Sequence, residues 1–464
     1  MGLKELGLRS GGYRAILGAG RNTPGILLLT ALLGLTYLPG CNPFFNADPV
    51  IKKPVWKPEF EHSLFYAQGQ LKKTLAQVTD INKFPNSVED GRTWKTSKSD
   101  GWTSGFFPGS LWLMYEATGD EFWRQNGEKW LAGLEKEQNN DTNHDIGFMM
   151  YCTYGAALRL TGNPACKPVL LQSARALAAR YRPVVGCTRS WGNKNDDGNF
   201  LVIIDNMMNL ELLYWASKNG GGAELAAMAN SHARKTAANH IRADGSTYHV
   251  LVYNPITGVV QGDFNSQGYT KESCWSRGLA WAVYGFTLSF RETANQEFLT
   301  TARKCADYFI KNSPADGVPY WDFGVARASS PRDQSACRTC SEPQKSEIAG
   351  KMPAPRAKRD ASAAAICASG LIELSSLDPE NRDKYLAAAE RILTTLSKPP
   401  YLTEGTENPA VIQNVVASWR DSLDDKERSF IYGDYYFIEA LVRYKKIADF
   451  GFRIERIQEL GGAL

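Results

Sequence analysis

Two aspartates stand where aspartate is costly. Asp145, preceded by His144, opens the stretch NHDIGFMMYC, and Asp205 sits within LVIIDNMMNLELLYW. Apolar surroundings push a carboxyl toward its neutral form, and a second carboxylate nearby pushes it further. Such a pair can keep a proton near neutral pH and deliver it, which is what a general acid requires. The plainer alternative is helix capping, because Asp accepts hydrogen bonds from the first free amides of a helix. Neither aspartate has Glu or Gln three residues on. Phe148 and Met208 stand there, so no capping box forms. Capping also leaves the apolar run at 201–204, just before Asp205, unexplained.

Flat rings and fixed donors recur in the loops around this pair. DGWTSGFFPG sets Trp102 among small residues, as a platform for a sugar ring would need, and SWGN puts Trp191 shortly before Asp205. SQGYTKESCWSRGLAW places Gln267, Trp275, Arg277 and Trp281 within fifteen residues as a loop enters a helix. Arg stems also cover aromatic faces in ordinary packing. An amide, a guanidinium and indoles together nevertheless suit an acidic sugar, with Arg for its carboxylate and Trp for its ring face.

The elements that must hold these residues are helical and repeated. Five stretches read as a helix, a short turn and a second, Ala-rich helix. Four of the turns, TGD, TGNP, NGGG and DPEN, break helices by Gly, Asn, Asp or Pro chemistry. A helix near 61–79 and a last one at YYFIEALVRYKK can pair as a sixth hairpin. Alternating strand patterns are scarce, STYHVLVYN being the best. Six hairpins whose ends can meet predict an all-α fold, a closed (α/α)6 barrel, with the long loops gathered at one mouth. One domain over 61–464 is expected, preceded by a tether over 41–60.

The formal charge of +4 owes +3 to residues 1–40, where Lys4, Arg9, Arg14 and Arg21 face Glu5 alone. The remainder is nearly neutral, and nothing asks for a nucleic-acid partner. Residues 1–40 read as a targeting segment: a basic start, the apolar run GILLLTALLGLTYL, too short to span a membrane comfortably, and then LPGC. LPGC resembles a bacterial lipobox, which implies lipidation at Cys41, export, and membrane association only through that anchor. The other eight cysteines show no dense disulfide framework, and the lone CxxC of Cys337 and Cys340 lacks the partners of a zinc site. No metal or cofactor is called for.

NHDIGF, IDNMMNLELLYWAS, SQGY with ESCWSRGLAW, RDASAAAI and YGDYYFIEAL together resemble the signature stretches of the unsaturated glucuronyl hydrolases, glycoside hydrolase family 88. The resemblance runs from about Trp102 to Ile438. It implies an (α/α)6 barrel, agreeing with the hairpin count. It also implies a substrate left by a polysaccharide lyase, an oligosaccharide with a C4=C5 unsaturated uronate at its non-reducing end. The family's key aspartates fall on Asp205, as acid and base, and Asp145, as its charged neighbour. Its substrate contacts fall on Trp102, His144, Trp191, His249, Gln267, Trp275, Arg277 and Trp281. Leu279 and the long basic stretch 326–360 depart from the family pattern. Two other readings stay open: an unsaturated rhamnogalacturonyl hydrolase, and an inactive glycan-binding lipoprotein.

Overall fold

The computed structural model describes residues 53–196, 198–328 and 356–451, and for 326–328 the backbone alone. The targeting segment, Cys41, most of the tether, Cys337 and Cys340 lie outside the described residues.

Among the described residues fourteen helices follow in order. They are α1 (Pro58–Gln77), α2 (Phe106–Thr118), α3 (Glu121–Leu134), α4 (Ile146–Met150), α5 (Ala156–Thr161), α6 (Cys166–Ala178) and α7 (Leu210–Ala216). After them come α8 (Ala223–Asn239), α9 (Ser276–Thr293), α10 (Gln296–Asn312), α11 (Phe323–Ala328), α12 (Ala361–Leu377), α13 (Arg382–Leu396) and α14 (Ile431–Phe450). A π-helical turn, Tyr151–Gly155, joins α4 to α5, and a 3-10 turn, Ile204–Asn209, leads into α7.

The helices form two rings. α2, α4–α5, α7, α9, α12 and α14 each pack on the next, and α14 returns to α2, closing the inner ring. α3, α6, α8, α10 and α13 each lie behind the inner helix that precedes them, and α1 packs on α13 and α14 as the sixth outer member. The sequence explains the division. α9, α12 and α14 are buried nearly all round, as helices apolar on every side must be. α3 and α10 bury only one stripe, such as Phe298, Ala302, Cys305 and Phe309. Close inner packing depends on small residues: a Cβ on Gly285 would lie 2.4 Å from Met207 Cβ.

The predicted turns behave as their residues dictate. Gly119 and Gly162 end α2 and α5 in the left-handed region, at φ of 68° and 69°. Asp120 caps α3 by accepting from Phe122 N–H. The α9–α10 turn does the same with Ala294 at φ 56°, a residue that gives no signal in the sequence. The first helix starts at Pro58, inside the stretch expected to be tether. Trp56 and Lys57 already pack there, Lys57 pairing with Glu390.

Short strands decorate the toroid: β1 (Phe84–Val88), β2 (Trp94–Ser97), β3 (Tyr181–Arg182), β4 (Cys187–Thr188), β5 (Phe200–Ile203), β6 (Val250–Tyr253), β7 (Val260–Phe264) and β8 (Ser429–Phe430). They form sheets ordered β2-β1-β8, β3-β4 and β5-β6-β7, every pairing antiparallel. β5 accounts for the apolar run before Asp205: it pairs with β6, the strand expected in STYHVLVYN.

Candidate active site

All six inner helices begin at the same mouth, and the singled-out residues sit at those beginnings. Trp102 precedes α2, Asp145 immediately precedes α4, Asp205 lies in the turn before α7, and Trp275 and Arg277 flank the start of α9. Asp360 and Tyr432 take the corresponding places at α12 and α14. Converging helix N-termini give this mouth a positive field, which favours an anionic ligand. The opposite mouth, at the C-terminal ends, holds a cavity of about 680 Å³ walled by Glu116, Glu211, Glu373, Arg159, Arg291 and Arg443. Those charges are spent on one another, as in the pairs Arg159–Glu116, Arg291–Glu211 and Arg443–Glu373. Neither aspartate lines it.

Asp145 occupies the N-cap position of α4, yet its side chain makes no capping bond. The cap comes from the neighbouring hairpin. Asn209 Oδ1 accepts from Phe148 N–H at 3.0 Å, and Asn209 Nδ2 donates to Asp145 Oδ1 at 3.1 Å. Gly147 permits this approach, since a Cβ there would sit 2.6 Å from Asn209 Oδ1. His144 Nδ1 lies 3.3 Å from Asp145 Oδ1 without closing a hydrogen bond. Burial pushes the carboxyl of Asp145 up to about 7, against the Asn209 bond and the Arg180 charge, which lower it.

Asp205 keeps part of its surface open to the mouth, while its Oδ2 is buried with no hydrogen-bond partner among the described residues. Desolvation first, and then the charge of Asp145, push it up to about 7, with Arg277 opposing. The Trp281 indole N–H lies by this carboxyl without closing a hydrogen bond. Two coupled carboxyls with raised pKa values can hold one proton between them near neutrality.

The remaining predicted residues are joined by ring contacts. Trp102 stacks on Tyr432 at 5.1 Å between centroids and reaches Phe148 at 5.8 Å, and Phe148 meets Trp281 at 5.2 Å. His249 packs on Trp275 at 4.6 Å and edge-on to Trp191 at 5.9 Å. Its Nδ1 accepts from Ser266 N–H and Gln267 N–H, so Nε2 carries the hydrogen in the neutral ring. Burial lowers its pKa to about 3, which keeps the ring neutral. Gln267 donates its side-chain amide to Ala417 O.

Arg277 is engaged differently from what an acidic-sugar ligand suggests. It is 1% exposed, lies over the Trp275 and Tyr432 rings, and donates to Val416 O, Ala417 O and the Asp360 carboxylate. Tyr432 OH, Trp275 Nε1, Trp281 Nε1, His249 Nε2 and Asp205 Oδ2 are all buried without a hydrogen-bond partner among the described residues. Buried polar atoms are normally paired. Five unpaired ones in one contact network mark where a polyhydroxylated ligand can bind. Asn209, Asp360 and Tyr432 had no sequence signal of their own, although they fall within the matched stretches IDNMMNLELLYWAS, RDASAAAI and YGDYYFIEAL.

A closed six-hairpin toroid with a pair of buried carboxyls of raised pKa and aromatic walls at one mouth defines a carbohydrate-processing barrel enzyme. The chain belongs to Glycosyl Hydrolase Family 88, whose family model matches residues 76–318. It is 37% identical over 386 residues to an unsaturated glucuronyl hydrolase of Formosa agariphila, covering 82% of this chain and 89% of that one. A crystal structure of an unsaturated glucuronyl hydrolase specific for heparin superposes with a TM-score of 0.74 at 35% identity, covering 85% of this chain and 99% of the other. A UGL structure with dGlcA-Glc-Rha-Glc superposes at 0.73 and 30% identity, covering 83% and 97%.

Proposed function

We propose that the protein is an unsaturated glucuronyl hydrolase, releasing the C4=C5 unsaturated uronate from the non-reducing end of lyase-generated oligosaccharides. The observation that carries this is the coupled pair of Asp145 and Asp205, both pushed up to about 7 at the mouth where the unpaired donors gather. The name of the Formosa relative and the dGlcA-headed ligand of the UGL structure support the substrate class.

The unsaturated uronate is an enol ether. Protonation at C4 leaves positive charge at C5, shared with the ring oxygen. Water then adds at C5, and the resulting hemiketal opens and expels the neighbouring sugar. Asp205 donates the proton and, as a carboxylate, takes one back from the attacking water. Its unpartnered Oδ2 suits both steps, and a neutral Asp205 is available below about pH 7. Asp145 supplies the charge that holds the proton on Asp205. Trp102 and Trp275 flank the sugar ring. The Nε2–H of His249 and the indole N–H groups donate to its oxygens, with the helix N-termini favouring its carboxylate.

Turnover in D2O tests the reaction. Loss of the enol absorbance together with deuterium at C4 of the product is expected. Sugar release with the absorbance retained would refute it. A set of unsaturated disaccharides from chondroitin, heparin, hyaluronan and ulvan, with an unsaturated rhamnogalacturonan disaccharide beside them, identifies the leaving sugar.

We also propose export as a lipoprotein anchored at Cys41, supported by the basic and apolar run that precedes LPGC. Cys41→Ala then moves the protein from the membrane to the soluble fraction, and an unchanged distribution would refute the anchor.

A further inference from the structure

Arg277 brings a full positive charge to the mouth, where it opposes protonation of Asp205. Its partner is Asp360, the residue that caps α12. Asp360 Oδ2 lies 3.2 Å from Arg277 Nη1, and the two side chains are 0% and 1% exposed. Asp360 Oδ1 accepts from Ser362 N–H at 3.0 Å, from Ser362 Oγ at 2.6 Å and from Val416 N–H at 3.4 Å. Burial holds this carboxyl above its ordinary value, with the Arg277 charge and the hydrogen bonds opposing. Arg277 and the two N–H groups can only donate, and Ser362 Oγ already accepts from Arg277 Nη1, so this set of partners matches a carboxylate.

The other aspartate faces a different arginine. Arg180 is 2% exposed, and its hydrogen bonds go to the carbonyl oxygens of Arg189, Asp141, Ser190 and Gly192. The Asp141 carboxylate is itself taken by Lys194. The Arg180 charge is therefore felt at Asp145, where it favours the anion. Arg189, beside Arg180, is a second cation there, its guanidinium donating to Asn199 O and Asp196 O. Among the described residues, the histidines and the tyrosine facing this region are neutral. Burial holds His144 and His249 at about 3 and raises the Tyr432 hydroxyl far above neutrality. Asp421, on the far side of Arg277, is occupied by Arg428 and by the N–H groups of Ala417 and Ser418.

We propose that Asp360 is a positioning residue for the reaction: its buried carboxylate cancels Arg277, so that the proton of the aspartate pair rests on Asp205 and the charge on Asp145. The proposal rests on the reading of Asp205 as the acid. It assigns unequal tasks to two buried arginines, one compensated and one not.

The test is the pH dependence of kcat/KM, which reports groups of the free enzyme, on an unsaturated glucuronyl disaccharide that the wild type turns over. Asp360→Asn keeps the size and the helix cap but removes the charge. Its basic limb is expected to fall by about one pH unit or more, the scale of an unmasked charge near a carboxyl. Asp360→Glu is expected to keep the wild-type limb. An unmoved limb in Asp360→Asn, or the same displacement in both variants, overturns the proposal. Should Asp360→Asn fail to fold, Arg277→Gln with Asp360→Asn removes both charges and is expected to restore the limb; a lowered limb there also overturns it. Asp205→Asn, assayed alongside, separates the two claims. Activity in that variant defeats the parent reading, whereas its inactivity with an unmoved Asp360→Asn limb defeats only the charge balance.

Discussion

Asp205→Asn should stabilise the protein, and by an amount that grows with pH. Burial and Asp145 raise the folded pKa of Asp205 from 3.8 to about 7. The folded state thus binds this proton more tightly than the unfolded chain does. Below the unfolded pKa both states are protonated and the group costs nothing. Between the two values the unfolded chain ionises while the fold does not, and stability falls by about 1.4 kcal/mol per pH unit. Above the folded pKa the loss is complete, on the order of 4 kcal/mol if Asp205 acts alone. The carboxyls titrate as a pair, and half of that, about 2 kcal/mol, is the smaller expectation. An asparagine does not titrate. For a domain of this size, about 2–4 kcal/mol corresponds to a Tm shift of roughly 2–5 °C. Thermal melts of both proteins from pH 4 to pH 8 should show curves that meet near pH 4 and separate until about pH 7. A gap independent of pH, or one that closes on going from pH 5 to pH 7.5, would refute the desolvated-acid reasoning.

Three further outcomes follow from the geometry. Arg277→Ala leaves Asp360 as a buried anion without its cation, so it should destabilise by about 3–5 kcal/mol in urea melts; a variant with wild-type stability and only a raised KM would return Arg277 to a purely ligand-facing role. Asn209→Ala removes the cap of α4 and the amide donor to Asp145, and should cost about 1–2 kcal/mol while raising the pKa of Asp145, which carboxyl-labelled NMR can follow. Tyr432→Phe deletes a buried hydroxyl that has no partner among the described residues; it should leave the Tm unchanged or slightly raised while increasing KM several-fold, and an equal loss of stability would place that hydroxyl in the fold instead.

The parts of this fold that could be read from sequence are those with local chemistry. Gly119, Gly162 and the NGGG and DPEN turns mark hairpins because few other residues end a helix so cheaply. The turn at Ala294 carries no such mark, since only the surrounding tertiary structure holds a non-glycine residue in the left-handed region. The aspartates were conspicuous because carboxyls rarely sit beside apolar runs. Asn209, which caps α4 in place of Asp145, was hidden because asparagine is unremarkable in its own segment and its partners come from another hairpin. Asp360 was hidden likewise: in the sequence it is a plausible helix cap, and it is one. Its second task, against Arg277, appears only when α9 and α12 lie side by side. The strand β5 was missed because a four-residue apolar run does not distinguish a short strand from the start of a buried helix.

The central claim is that Asp205 delivers the proton to C4. The direct measurement is the rate at which wild type and Asp205→Asn, both shown to be folded, deplete the enol absorbance of an unsaturated glucuronyl disaccharide near pH 6. The variant is expected to lose at least about 10²-fold in kcat, the scale of a general acid–base contribution. A variant that depletes the absorbance at close to the wild-type rate would contradict it.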